Sequence, residues 1–406
     1  MEEKYIDLLL EKCTRLNKSN SLLINYSIEI QDFINKLVKK VNDLGITDIY
    51  LDKFDIEKEH ELLKTLTKEE ILKEKTFDKS IWDTYAKKNA CFLIFETEYP
   101  GVMDDVDPEL LGLSAKIKRE SHPIYRKMVD KCELSWCIAA YPGELWSKSI
   151  FKESNSYELL KNAIFRMCMI NKDNPIKEWT NHLNNQGKII KYINNLKIKK
   201  LHYKNSLGTN LELTLPENYL YSSALDTDVI VNMPSYEIFA SPVWNKTNGI
   251  VYASKPLMYN GGLIEDFWIK FENGKVIEYD AKKGKNLLKS IIETDEHSSY
   301  LGECALVENN SPIARENIIY GTTLIDENAS CHLALGAGFA ECIKDGLTMT
   351  EEELLNNGIN ISKNHVDFMI GTPDLKIEAI TKDNKIIPIF TNGNFDNEII
   401  KESNKC

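Results

Sequence analysis

Seven histidines punctuate the chain, and two of them stand where an imidazole needs a partner. His332 lies in DENASCHLALGAGF (326–339), among Ala329, Ser330, Leu333, Ala334, Leu335 and Gly336. A histidine in such small and apolar company is expected to be buried, and a buried polar ring must be bonded or ligated. His365 lies in SKNHVDFMIG (362–371), with Asp367 two residues on. If a strand starts at His365, both side chains share one face, because strand side chains repeat every two residues. Such a face can offer an imidazole nitrogen and a carboxylate oxygen to one ion, although an isolated H-x-D is common by chance. Glu303 sits in the apolar run YLGECALVE (300–308), entered through Gly302, and Glu237 sits in NMPSYEIFASP (232–242) beside Ile238, Phe239 and Ala240. Glutamate is rarely buried unless paired or metal-bound. Taken singly, each fits an exposed residue on an alternating strand. Together, Glu237, Glu303, His332, His365 and Asp367 form a set of hard oxygen and borderline nitrogen donors that suits Zn, Mn, Co or Fe. The remaining histidines carry less. His60 and His182 lie in polar helical segments and are expected to face solvent, His122 precedes a proline as a loop or packing residue, and His202 and His297 show no partner.

These residues need elements to place them. In the first half, SLLINYSI (21–28) reads as a strand, 30–45 as a helix with apolar residues at helical spacing, and TDIYLD (47–52) as the next strand. That order predicts a βαβ unit and a parallel sheet. Further strands are expected at 91–100 and 134–142, and helices over 110–132 and near 155–170 and 175–196. The second half changes character. Segments within 197–216 read as paired strands around Gly208, and 249–257 alternates like a strand. The run 266–281 carries Asn273-Gly274 between two alternating stretches, a strong hairpin signal. A second hairpin is expected over 375–390. The expected fold is an α/β N-terminal domain with a parallel sheet over 1–200, followed by an α+β, hairpin-rich, metal-binding catalytic domain over 201–406. The charge-rich stretch 57–79 reads as a solvated helical surface.

The chain has 406 residues, which accommodates two domains, and a net charge of −12. That charge argues against nucleic acid and anionic membrane surfaces as partners. The N-terminus is charged from its second residue and reads as an amphipathic helix rather than a signal peptide. No apolar run is long enough for a transmembrane helix. Nine cysteines are scattered without a CxxC pair or a disulfide framework, as expected of reduced thiols in a cytoplasmic protein.

The motifs NMPSYEIFASP with KPL downstream, LGECALVE with SPI downstream, DENASCHLALG and NHVDFMIG occur in that order over some 140 residues. In this the chain resembles the thermophilic-type metallo-aminopeptidases, the family of aminopeptidases T and S. The first half fits more loosely, through CIAAYPGELWSKSIF (137–151) and NPIKEWTNHL (174–183). The resemblance implies an exopeptidase that removes N-terminal residues from peptides with broad specificity by a metal-bound hydroxide. It implies two divalent ions per chain (Zn, Co, Mn or Mg), a substrate with a free N-terminus, and a homodimer. Carried over by position, Glu237, Glu303, His332, His365 and Asp367 are the metal ligands. Glu303 is the expected bridge, and Glu237 a ligand or the general base. One position departs from the pattern: the family usually places a tyrosine seven residues after the first histidine, and here stands Phe339. Two alternatives remain at this stage. His332, His365 and Asp367 also make the two-histidine, one-carboxylate triad of non-haem Fe(II) oxygenases, as in ring-cleaving dihydroxypyridine dioxygenases, which resemble distant relatives. The other is a non-catalytic, peptide-binding relative.

Overall fold

Strand Ser21–Ser27, helix Gln31–Asp43 and strand Asp48–Phe54 open the fold, the two strands pairing in parallel. The helix packs through Phe33, Ile34, Leu37 and Val41, the stripe its spacing foretold. The computed structural model describes residues 1–16, 19–97, 99–226, 229–259 and 262–405. Glu98, within the expected strand 91–100, and Cys406 lie outside them.

Within the described residues the chain forms two compact units, 1–179 with 225–234, and 180–224 with 235–259 and 263–405. The first unit holds an all-parallel sheet in the order Asn232–Met233, Ser135–Ala140, Cys91–Glu96, Ser21–Ser27, Asp48–Phe54. Its inner strands bury consecutive residues, Leu22, Leu23 and Ile24 on one and Phe92 and Leu93 on the next. Unbroken burial of this kind belongs to a sheet covered on both faces.

The N-terminal helix Glu2–Lys12 is tied down by its first carboxylate. Glu2 lies 2.6 Å from Lys161 Nζ and 2.5 Å from Lys36 Nζ, and accepts a 3.0 Å bond from the Tyr141 hydroxyl. Burial pushes its carboxyl up, but the bonds from Lys161, Lys36 and Tyr141 outweigh that and bring it down to about 2. A depressed carboxylate stabilises the fold above its unfolded value, and the contribution fades as pH falls from about 4.5 towards 2. Because Glu2 is 21% exposed, solvent screening trims the effect to about 1–2 kcal/mol. Glu2→Gln should therefore lower stability by that amount at pH 7 and by much less near pH 2.5, as read by urea unfolding at the two pH values.

The second unit holds two antiparallel sheets. One has nine strands among the described residues, including the paired strands Ile198–Lys204 and Asn210–Thr214 and the expected hairpin Lys376–Thr381/Ile386–Thr391. The Gly262–Glu272/Lys275–Lys283 hairpin turns at Asn273 and Gly274, both at positive φ (49° and 82°), which this residue pair tolerates. The second sheet runs in the order His365–Met369, His332–Gly336, Leu301–Leu306, Ile238–Ala240, Ser222–Ser223. One face of it, with Ile238, Ala240, Cys304, Leu306, Leu333, Leu335, Val366 and Phe368, shares a single core with the nine-stranded sheet. Alternation sends the intervening residues to the opposite face. No helix among the described residues is long and apolar enough to cross a membrane. The eight described cysteines are free, and all but Cys132 are buried.

Candidate metal centre

Register decides what the opposite face of the five-stranded sheet displays. Glu303 pairs with Ala334, and Ala334 with Asp367. Ala305 pairs with His332, and Gly336 with His365. Phe239 pairs with Ala305, so Glu237, two residues earlier, falls on the same face. All five residues singled out in the sequence thus converge from four neighbouring segments on one surface. Ala305 and Ala334 leave the space between them.

The polar atoms meet closely. His332 Nε2 is 3.1 Å from Glu237 Oε2, and His365 Nε2 is 3.2 Å from Glu303 Oε2 and 3.4 Å from Asp367 Oδ1. The two rings are held from behind. His332 Nδ1 lies 3.1 Å from both the Glu327 and Ser330 carbonyl oxygens, and His365 Nδ1 lies 2.8 Å from the Ala337 carbonyl. A carbonyl only accepts, so in both rings Nδ1 carries the proton and donates. Nε2 is the nitrogen turned towards the carboxylates, the orientation that outer hydrogen bonds impose on metal-binding histidines.

Burial and mutual charge move Glu303, Asp367 and His332 away from their ordinary ranges. Burial holds the Glu303 carboxyl above the usual carboxylate range, and Asp367 adds to the rise. Burial also acts on Asp367, but the positive charge of His365 beside it overrides that and holds this carboxyl low. Burial would push His332 down, yet its bond to Glu237 and the nearby Glu303 and Asp367 bring it up to about 10. Asp367 Oδ1 is buried and accepts no hydrogen bond, its 3.4 Å approach to His365 being an ion contact only. Buried carboxylates crowded this way call for positive charge. Donor atoms of Glu237, Glu303 and His332 lie within 4.8 Å of one another, as do those of Glu303, His365 and Asp367. The residues present therefore fit divalent metal.

A third overlapping group joins Glu327 to His332 and Asp367. Glu327 had not been singled out in the sequence. Its signal was DEN (326–328), three consecutive polar residues before an apolar run, all buried in the fold. Each has a task. Asp326 accepts the N–H groups of Tyr320 and Gly321 at 2.8 Å, Glu327 faces the histidine, and Asn328 Oδ1 accepts the Tyr236 N–H at 2.6 Å. The last bond ties the Glu237 segment to the turn that carries Glu327. From another side, Gln186 on helix Pro175–Asn195 donates to the Glu237 carbonyl at 3.0 Å. His182, one turn earlier on that helix, corrects an expectation. It is half-buried against Tyr236, with Nε2 3.2 Å from the Ser235 carbonyl, and burial brings it down to about 4. Polar sequence neighbours concealed that its helix face meets the 235–237 segment. His122 packs between Trp82 and Tyr125, and His202 and His297 pair with Asn210 and Asn360.

Glu303 owes its aim to an irregularity. A β-bulge between Leu301 and Glu303 shifts the register against the His332 strand. At its centre, a Cβ on Gly302 would lie 2.0 Å from the Ala337 carbonyl oxygen and 2.4 Å from that of Gly336. Only glycine fits that approach of backbone to backbone.

A buried sheet face of carboxylates, with two imidazoles fixed Nε2-inward, is a donor set that suits a divalent metal. Residues 1–395 match the model of the thermophilic metalloprotease family (M29), and the chain belongs to that family. It is 33% identical to aminopeptidase AmpS of Bacillus subtilis, covering 96% of this chain and 97% of that one. It is 31% identical to aminopeptidase 2 of Geobacillus stearothermophilus, covering 98% of each. The solved structure of wild-type AmpT from Thermus thermophilus superposes with a TM-score of 0.87 at 26% identity, over 97% of this chain and 98% of that one. A 2,5-dihydroxypyridine dioxygenase from Pseudomonas putida KT2440 reaches a TM-score of only 0.49 at 9% identity, too distant to bear on the chemistry.

Proposed function

We propose that this chain is a metal-dependent aminopeptidase, a hydrolase that removes residues from the free N-termini of peptides. One observation supports the site best: His332 and His365 are both pinned through Nδ1 to backbone carbonyls, with Nε2 facing a shared group of carboxylates. Glu237, Glu303, His332, His365 and Asp367 would hold the metal, joined by Glu327. Glu303 shares one donor group with His332 and another with His365, so its carboxylate would serve metal held beside either histidine. When bound, such cations acidify a coordinated water towards a pKa of about 7 and polarise the carbonyl under attack.

The chain's own groups do the rest. If Glu237 stands beside the metal rather than on it, its carboxylate accepts the proton of the attacking water and passes it to the departing amine. The substrate's free N-terminal amine, bound at a metal ion or at an acidic side chain of the site, would limit attack to N-termini. His365 is the most open of the five original residues, its side chain 27% exposed against 10% or less for the others. The substrate therefore approaches on that side. Broad specificity and pairing of two chains belong to the same proposal and rest on the family resemblance, and a cytoplasmic setting rests on the scattered cysteines without a disulfide framework. The test is to compare leucyl-p-nitroanilide with its N-acetylated form on metal-loaded protein. Release of chromophore from the free amine, with at least about 100-fold less from the acetylated substrate, is expected for attack directed by the free N-terminus. Equal rates would overturn the exopeptidase reading.

A further inference from the structure

The sheet face that carries the carboxylates also carries a small apolar surface. Phe239 is two residues from Glu237 and Ala305 two from Glu303, so strand alternation sets both beside the ionisable groups. Phe239 and Ala305 pair directly, and Cys342 packs with them, all three buried. Phe339 lies against this group and is only half-buried. Its ring centroid is 5.1 Å from that of Phe239 and 4.9 Å from that of His365. The ring is held in place: the Phe339 N–H donates to Ser241 Oγ at 2.9 Å, and its carbonyl accepts the Cys342 N–H at 3.1 Å. Phe339 thus borders the side on which His365 opens to solvent.

A substrate residue with its carbonyl at the carboxylate–histidine face must place its own side chain within a few ångströms of that carbonyl. The exposed part of that surface is the Phe339 ring, with Phe239, Ala305 and Cys342 buried behind it. The carboxylate next to Cys342, Glu341, accepts a 2.9 Å bond from Ser222 Oγ. An acidic side chain laid on this wall would lose water and meet further carboxylates instead of a partner. We propose that Phe339, backed by Phe239, Ala305 and Cys342, forms the wall that receives the side chain of the substrate's N-terminal residue and favours large apolar residues over small and acidic ones. This inference rests on the aminopeptidase reading, and it makes Phe339 a specificity-determining residue.

The test uses metal-loaded wild type, Phe339→Ala and Phe339→Leu. Hydrolysis of leucyl-, alanyl- and aspartyl-p-nitroanilide is measured, together with calorimetric binding of leucinamide and glycinamide. Wild type should favour leucyl over alanyl and aspartyl substrates by about tenfold or more, the range that a few methylenes in an apolar pocket can supply. Phe339→Ala should collapse the leucyl-to-alanyl ratio and the leucinamide-to-glycinamide binding ratio towards one, and Phe339→Leu should restore most of both. Ratios unchanged in Phe339→Ala, or a wild type that prefers the aspartyl substrate, would overturn the proposal. Binding preference that depends on Phe339 in a protein that hydrolyses none of the anilides would uphold the wall and sink the peptidase reading. Loss of both preferences in wild type itself would overturn the wall whether or not turnover is seen.

Discussion

Replacing Glu303 by glutamine is expected to lower leucyl-p-nitroanilide turnover by about 10²–10⁴-fold, the range for a group that handles charge and protons at the reaction centre. The same substitution should act oppositely on the stability of chelator-treated protein. Glu303 is buried, and Asp367 beside it raises the cost of its charge. A neutral amide of the same shape removes that cost, so chelated Glu303→Gln should unfold at the same or a higher temperature than chelated wild type. Added metal should then separate the two. Wild type gains about 2.7 kcal/mol when metal stands at a hundred times its dissociation constant, and the variant gains much less. Calorimetric unfolding with and without metal reads both effects. A chelated variant that is clearly less stable than chelated wild type would mean that Glu303 serves to hold the sheet together.

The second large effect is expected from Gly302→Ala, a change of one methyl group at a residue with no chemistry of its own. The new Cβ would meet only backbone atoms, the Ala337 carbonyl carbon at 2.3 Å and the Ala337 and Gly336 oxygens at 2.0 and 2.4 Å. No side-chain rotation relieves such a contact, so the bulge itself must move. A loss of about 3 kcal/mol is expected, at the upper end for overpacking. Because the bulge aims Glu303, the displacement reaches the site, and an ångström of misplacement there can cost about 100-fold in rate. Urea unfolding and turnover measured on one preparation should fall together. Normal stability and normal turnover would show that the bulge does not set the position of Glu303.

Much of this was legible in the sequence because it is local. The βαβ opening shows in the spacing of Phe33, Ile34, Leu37 and Val41, and the long hairpin in Asn273-Gly274. His365 and Asp367 share a face because they are two residues apart on a strand, which the structure places at His365–Met369. What escaped depends on register between strands distant in the chain. Glu327 reaches the site only because a turn beside His332 folds it inward. The bulge at Gly302 is invisible until the His332 strand is laid against it. Phe239 and Ala305 read as ordinary core residues until pairing sets them on the carboxylate face. His182 was misjudged for the same reason: its partners, the Ser235 carbonyl and Tyr236, lie more than fifty residues away.

The central claim is that these carboxylates and histidines hold divalent metal that the hydrolysis requires. It is tested most directly by elemental analysis of the purified protein, with leucyl-p-nitroanilide turnover followed on the same sample through chelation and readdition of Zn(II) or Co(II). The account predicts two divalent ions per chain at saturation, turnover lost on chelation, and turnover restored as the second ion is taken up. Turnover that survives complete removal of metal, or a chain that binds no divalent ion, would contradict it.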